Sequence, residues 1–237
     1  MQSNKVNLFH KNTNMETVRI LDIRKETHDV MHIIAEKPNN LSFHSGQAAD
    51  VSIAKPKWED EKRPFTFTSL PKESQLEFVI KLYPEHDGVT EQIGKLERGD
   101  SLNIGDVYGA IEYHDEGIFI AGGAGVTPFI SILKSLDDEN KLGNNKLIFG
   151  NKKYEDIIHR EYFDKLLGEN MINVLSDEDK KGCEKGFITK EIIKKAQEEG
   201  KDQYFYLCGP PKMMESVLEE LKELGIDDKY IVKEDFN

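Results

Sequence analysis

Gly122, Gly123 and Gly125 fall within four positions of this 237-residue chain, inside the stretch GIFIAGGAGVTPFISIL from Gly117 to Leu133. Backbone without side chains lets a flat or phosphorylated group come close. Thr127 follows as a capping residue and Pro128 as a first helical residue, so the N–H groups of a helix start face the same place and suit an anion. Arg63, directly before Pro64 and the alternating Phe65-Thr66-Phe67-Thr68, offers a rigid guanidinium fork that also matches phosphate. Gly88-Val89-Thr90 opens a second, shorter helical pattern with Thr90 as its cap, a second candidate anion site. Cys208-Gly209-Pro210 ends the run QYFYL, at the carboxyl edge of a strand where open α/β sheets bind ligands. A glycine turn also serves structure alone, and a buried cysteine behaves as a small hydrophobe. Residue types by themselves leave both readings open.

Two textures of sequence must position these residues. From Thr17 to about Glu112, short alternating or apolar runs (Thr17–Arg24, Val30–Ala35, Ala49–Ala54, Arg63–Pro71, Gln75–Tyr83, Ser101–Ile104) are separated by Pro, Asn, Gly and charged turns. That spacing predicts a small antiparallel barrel or sandwich. Lys55–Lys62, with the only tryptophan, reads as a solvated loop, and Gly105–Gly109 as a glycine-punctuated one. After Tyr113–Glu116 strands and helices alternate, as in βαβ units on a parallel sheet. Strands are expected at Gly117–Ala121, Lys146–Gly150, Asn173–Ser176 and Gln203–Leu207, and helices at Pro128–Ser135, Asp156–Leu167, Thr189–Glu199 and Pro211–Leu224. The division expected is a polar tail over residues 1–16, a β domain over 17–113 and an α/β domain over 114–237, with Met15 an alternative start.

Composition narrows the function classes. Lys and Arg number 32 against 44 Asp and Glu, a net charge of −12, which disfavours wrapping nucleic acid or lying on an anionic membrane. The start of the chain carries no apolar signal core, and glycines and a proline make the longest uncharged run a poor membrane span. Two cysteines, Cys183 and Cys208, form no disulfide pattern and are too few for an iron–sulfur cluster. The expectation is a cytoplasmic enzyme with no metal site.

RPFT at Arg63–Thr66, GVT at Gly88–Thr90, GGAGVTP at Gly122–Pro128 and CGPPKM at Cys208–Met213 resemble, in order and spacing, the ferredoxin reductase family of FAD-dependent NAD(P)H oxidoreductases. The resemblance runs over nearly the whole chain from Thr17. It implies an antiparallel Greek-key β-barrel that binds FAD, followed by a Rossmann-like parallel α/β domain that binds NADH or NADPH. It further implies that Arg63, with Pro64 beside it and the backbone of Gly88, Val89 and Thr90, holds the FAD pyrophosphate. Phe65 stands where the family usually has tyrosine, so a ring can stack on the flavin while a hydroxyl contact is lost. Thr66 falls near flavin N5. Gly122, Gly123, Gly125, Thr127 and Pro128 then cradle the nucleotide, and Cys208, with Gly209, Pro210 and Met213 around it, lies against nicotinamide C4. The ending Glu234-Asp235-Phe236 is similar to the Glu-x-aromatic ending of plant-type members, in which Phe236 covers the flavin and Glu234 supplies protons near N5; an acidic chain end also reads as solvated.

For the choice of nucleotide, Asn151 and Lys152 stand near where members that prefer NADPH place arginine, whereas Ser176-Asp177-Glu178-Asp179 is acidic and repels a 2′-phosphate. FGNKKYEDII is similar to cytochrome b5 reductase-type enzymes, which implies NADH. The reaction implied is hydride transfer to FAD, with electrons then leaving to a separate ferredoxin or flavodoxin. Such carriers are acidic, so a chain at −12 needs a local basic patch to receive one. A flavin reductase or oxygenase-partner reductase is the alternative within the class, and a nucleotide-binding regulatory subunit without turnover the alternative outside it.

Overall fold

The computed structural model describes residues 15–198, 200 and 202–234. Alternation builds the first sheet. β1 (Glu16–Thr27) turns Val18 and Ile20 inward while its charged neighbours stay out, and its twelve residues serve two partners. Glu16–Arg19 pair with β6 (Ser101–Tyr108), and Ile20–Thr27 pair with β2 (Val30–Glu36) across two irregularities that bend the strand. With β3 (Ala48–Ile53), β4 (Arg63–Thr66) and β5 (Gln75–Lys81) the antiparallel order is β4-β3-β6-β1-β2-β5. The chain just past β4 reaches the far edge, where Thr68 N–H donates to the Glu77 carbonyl at 2.8 Å and closes the barrel. Phe67 fills the middle, stacked on Phe43 at 4.1 Å between ring centres and tilted against Phe78 at 5.3 Å. The short helix α1 (Val89–Ile93) plugs the barrel with Val89 and Ile93.

The second sheet is parallel, in the order β10-β9-β8-β7-β11-β12. Its strands are β7 (Gly117–Gly122), β8 (Lys146–Asn151), β9 (Met171–Leu175), β10 (Glu184–Lys185), β11 (Tyr204–Cys208) and β12 (Ile231–Lys233). β7 is buried at every residue because both faces are covered. Phe119 and Ala121, with Tyr206 and Cys208 of β11, face α2 (Thr127–Asp138) and α3 (Arg160–Leu167). Ile118, Ile120, Phe205 and Leu207 face α4 (Lys190–Ala196) and α5 (Pro211–Glu223). Val30 and Val79 of the barrel join the first of these cores, so the two sheets share buried surface. No helix of the described residues is long and apolar enough to cross a membrane.

Several local expectations change. Thr127 is not the cap of α2 but its first residue, after Val126, and its hydroxyl donates back to the Ala124 carbonyl at 3.0 Å. Thr90 likewise lies inside α1, with extended Gly88 at the cap. Gly105 is no loop residue: β6 runs on to Tyr108, and a Cβ at Gly105 would press on Asp50 at 3.3 Å, so glycine here permits close strands. β4 stops at Thr66, four residues long. α3 starts at Arg160 rather than Asp156, after a single 3-10 turn and His159 in the left-handed region. Trp58, in the loop expected to be solvated, packs partly against the barrel core.

Candidate active site

The second sheet reverses its strand order between β7 and β11, and the loops leaving those two strands interlock. A Cβ at Gly125 would sit 2.3 Å from the Cys208 carbonyl oxygen, and one at Gly122 would sit 2.2 Å from Met213 Sδ. Backbone packing therefore requires glycine at Gly125, while at Gly122 the side chains of Met213 and Pro210 would have to shift. Gly123 differs: at φ +51° it takes the left-handed conformation, and nothing lies within 4 Å of where a Cβ would be. That uncovered backbone lines a cavity of about 520 Å³. Gly122, Asn151, Lys152, Ser176, Pro210 and Met213 line the same cavity, together with Phe187, Lys212 and Lys81 of the barrel. Asn151 Nδ2 is buried there with no hydrogen-bond partner, a donor fitted to an acceptor-rich ligand. Cys208, Gly125, Thr127 and Pro128 do not line this cavity.

On the barrel, register places Thr66, Ala48 and Tyr108 in one row across β4, β3 and β6. Their alternate neighbours Ala49 and Val107 belong with the barrel core, so the row lies on the outer face. Tyr108 is 42% exposed and donates its hydroxyl to Asp50 Oδ1 at 2.7 Å; burial of the hydroxyl most of all, then this bond and the Asp50 and Glu234 charges, raises its pKa. Phe65 alternates inward and packs partly on the core. Arg63, at the start of the same strand, is half exposed; its guanidinium donates to the Lys62 carbonyl at 2.6 Å and pairs with Glu61 at 3.5 Å. In α1 the N–H groups of Val89 and Thr90 precede the first internal bond, from Gln92 to the Gly88 carbonyl. An exposed aromatic two strands from Thr66 in the same row, and a half-exposed arginine on the Thr66 strand, fit a flavin nucleotide.

The C-terminal segment joins the two halves. Glu234 follows β12, and its Oε1 accepts from Ala110 N–H at 3.3 Å, just past the end of β6. Burial pushes this carboxyl above the usual range, against the Ala110 bond. The same carboxylate and deep burial push the Cys208 thiol up to about 12, burial being the larger cause. A thiol held that firmly protonated is a soft, neutral contact and no nucleophile. Phe236 lies outside the described residues. The lysine-rich and acidic loops also meet: Ser176 N–H donates to the Asn151 carbonyl at 3.0 Å, and Asp177 N–H to that of Lys152 at 2.9 Å. A second cavity, of about 460 Å³, continues along the cleft between the sheets, with Asp29 and Lys81 on one wall and Lys153 and Asp177 on the other.

A family model described as an FAD-binding domain matches residues 11–102, and one described as an oxidoreductase NAD-binding domain matches residues 119–219. The chain combines an FAD-binding domain and an oxidoreductase NAD-binding domain in a ferredoxin reductase-like fold. The toluate 1,2-dioxygenase electron transfer component of Pseudomonas putida is 25% identical over 205 residues, 84% of this chain and 60% of that protein. NADH-cytochrome b5 reductase 1 of Candida glabrata is 30% identical over 178 residues, 69% of this chain and 62% of that protein. This ferredoxin reductase-like chain thus spans less than two thirds of either relative. The FAD/NAD-binding domain of nitric oxide dioxygenase from Vibrio cholerae superposes with a TM-score of 0.82 at 19% identity, over 94% of this chain and 98% of that one, a likeness of fold.

Sequence reasoning about this ferredoxin reductase-like chain misses Phe187, Lys212 and Tyr108. Phe187 is 77% exposed at the cavity wall. A large apolar residue directly after Gly186 in a charged loop was the available signal.

Proposed function

We propose that the protein is an FAD-dependent NAD(P)H oxidoreductase that passes electrons on to a separate acceptor protein, with ferredoxin or flavodoxin the first choice. The observation that carries this reading is the seat of Glu234, which accepts from Ala110 N–H just past the end of β6 and lies near enough to Cys208 for its charge to act on the thiol. It ties the barrel's outer face to the interlocked glycine loops. When bound, FAD supplies a hydride acceptor that releases electrons one at a time.

The chain's own residues bind, orient and exclude water. Arg63 and the first amides of α1 hold the FAD pyrophosphate, and Pro64 fixes the strand start that carries Arg63. Thr66 presents a hydroxyl at the reacting edge. Phe65 backs it. Gly123 and Asn151 receive the nicotinamide nucleotide, Cys208 limits how close its ring can lie, and Glu234 keeps a proton available beside them. Asp177 beside Ser176 supports NADH over NADPH, as does the NADH named in the Candida relative.

The absorption spectrum of the purified protein tests this, repeated anaerobically after NADH and after NADPH. A yellow protein bleached by NADH supports the reading. A yellow protein bleached by neither supports a regulatory subunit instead, and a colourless one that takes up no added FAD rejects both. The toluate dioxygenase relative, covering 84% of this chain, supports one further reading, a reductase serving an oxygenase.

A further inference from the structure

Gly46, Thr68 and Ala110 stand just off the ends of β3, β4 and β6, two residues from Ala48, Thr66 and Tyr108, the spacing that returns a strand to the same face. Each is tied to the other domain by a hydrogen bond. Gly46 N–H donates to Ser131 Oγ of α2 at 2.9 Å, Lys134 Nζ of α2 donates to the Thr68 carbonyl at 3.1 Å, and Ala110 N–H donates to Glu234 at 3.3 Å. Lys134 is also held by Glu77 Oε2 of β5 at 2.5 Å. Farther along the boundary, Glu26 of β1 accepts from the His159 N–H at 3.0 Å and from its Nδ1 at 2.8 Å.

Ser131 and Lys134 are one turn apart, so a single face of α2 meets the barrel. Ser131 is fully buried; its hydroxyl donates to the Pro128 carbonyl at 3.3 Å and accepts from Gly46. The fit around Gly46 is close. At φ +99°, a Cβ there would meet the Ile111 carbonyl oxygen at 2.4 Å and Ile132 Cδ1 at 3.1 Å. Val30 and Val79 add apolar contact from the barrel, but such contact has no preferred direction and lets surfaces slide. Hydrogen bonds, which weaken steeply off their preferred angles, fix the register. The start of α2 follows directly on the turn Gly123–Val126, whose Gly123 lines the large cavity. Anchoring this helix at Ser131 and Lys134 therefore sets where that turn stands relative to Thr66.

We propose that Ser131 and Lys134 are positioning residues: they hold α2, and with it the glycine turn, in register with the three strands that carry Thr66, Ala48 and Tyr108, so that the separation of nicotinamide and flavin is set at this seam. This rests on the reading of the protein as an FAD-dependent reductase. Ser131→Ala removes the acceptor for Gly46 with no change of charge. Lys134→Met keeps the carbon stem and loses the ammonium, and Lys134→Arg restores a donor cation.

The experiment measures flavin reduction in the FAD-loaded full chain at saturating NADH, or NADPH if that alone bleaches it, together with the affinity for that nucleotide and the residual dipolar couplings of backbone amides in both domains. Ser131→Ala and Lys134→Met should each slow reduction about tenfold or more while affinity stays within about threefold. Their couplings should no longer fit one common alignment of the two domains, as those of the wild type do. Lys134→Arg should return the rate to within about threefold of wild type. Wild-type rates in Ser131→Ala and Lys134→Met, a loss of rate that follows loss of FAD or of nucleotide affinity, or a Lys134→Arg variant as slow as Lys134→Met overturns the proposal. If neither nucleotide bleaches the wild type, the reductase reading falls, and the couplings alone decide: one common alignment in both variants removes the seam's role in placing the domains, and two separate alignments retain it.

Discussion

Cys208 is 4% exposed and burial pushes its thiol up to about 12, so its contribution is shape and polarisability. On the proposed reading, removing the sulfur should loosen the wall behind the nicotinamide without unseating FAD. Cys208→Ala and Thr66→Val are each expected to slow flavin reduction about 10- to 100-fold, the range for a small misplacement of reacting atoms. Stopped-flow bleaching at full FAD occupancy checks it, and unchanged rates in both variants would reject the assignment. Arg63→Ala acts elsewhere. It should weaken FAD binding by about tenfold or more through loss of the phosphate fork, read as loss of yellow colour on dilution; a variant that keeps its colour contradicts the role. These assignments are proposals that the sequence allows because the neighbours are distinctive; Phe187, which lines the cavity, was not foreseen, since no periodicity marks one exposed ring in a charged loop.

The two loops at the strand reversal are a single packed unit. With Gly125 requiring the space that a Cβ would take from the Cys208 carbonyl, Gly125→Ala must push one loop off the other. It should cost about 1–3 kcal/mol of stability, the usual range for overpacking, and weaken nicotinamide nucleotide binding; chemical denaturation and a fluorescence titration measure the two. Gly123→Ala fills open space at a left-handed residue, so its cost should be smaller, about 1 kcal/mol. The strand–glycine–helix order was legible from the apolar run and the proline. The caps were not: Thr127 and Thr90 are good capping residues, yet the caps fall earlier, at Val126 and Gly88, and the Thr127 hydroxyl turns back to the Ala124 carbonyl. Gly105 misleads in another way: in sequence it punctuates, while in the sheet it lets β3 approach.

Across the whole molecule, acid sensitivity should concentrate where the domains meet. Hydrogen bonding from His32 and the Lys134 charge hold Glu77 down at about 2 from the ordinary 4.5, although burial acts in the opposite direction and is the largest single influence. A depressed carboxylate contributes stability that is complete above about pH 4.5 and is lost as pH falls towards about 2. For Glu77 that is on the order of 3 kcal/mol. Glu77→Gln should therefore unfold more easily than wild type at pH 7, with the gap narrowing towards pH 3, as urea denaturation at both pH values would reveal. A gap that stays constant would assign the loss to packing. Two domains of different texture were legible in the sequence; the links between them were not, because Glu26 and His159 are 133 positions apart and each looks like an ordinary surface residue alone.

The place of β7 between β8 and β11 bears on how the chain is made. β8 follows it closely, but β11 is translated roughly eighty residues later, on the order of ten seconds at ribosomal speed. Throughout that interval the most apolar strand of the protein has one bare edge, which a chaperone would have to shield and to which a neighbouring nascent chain could add.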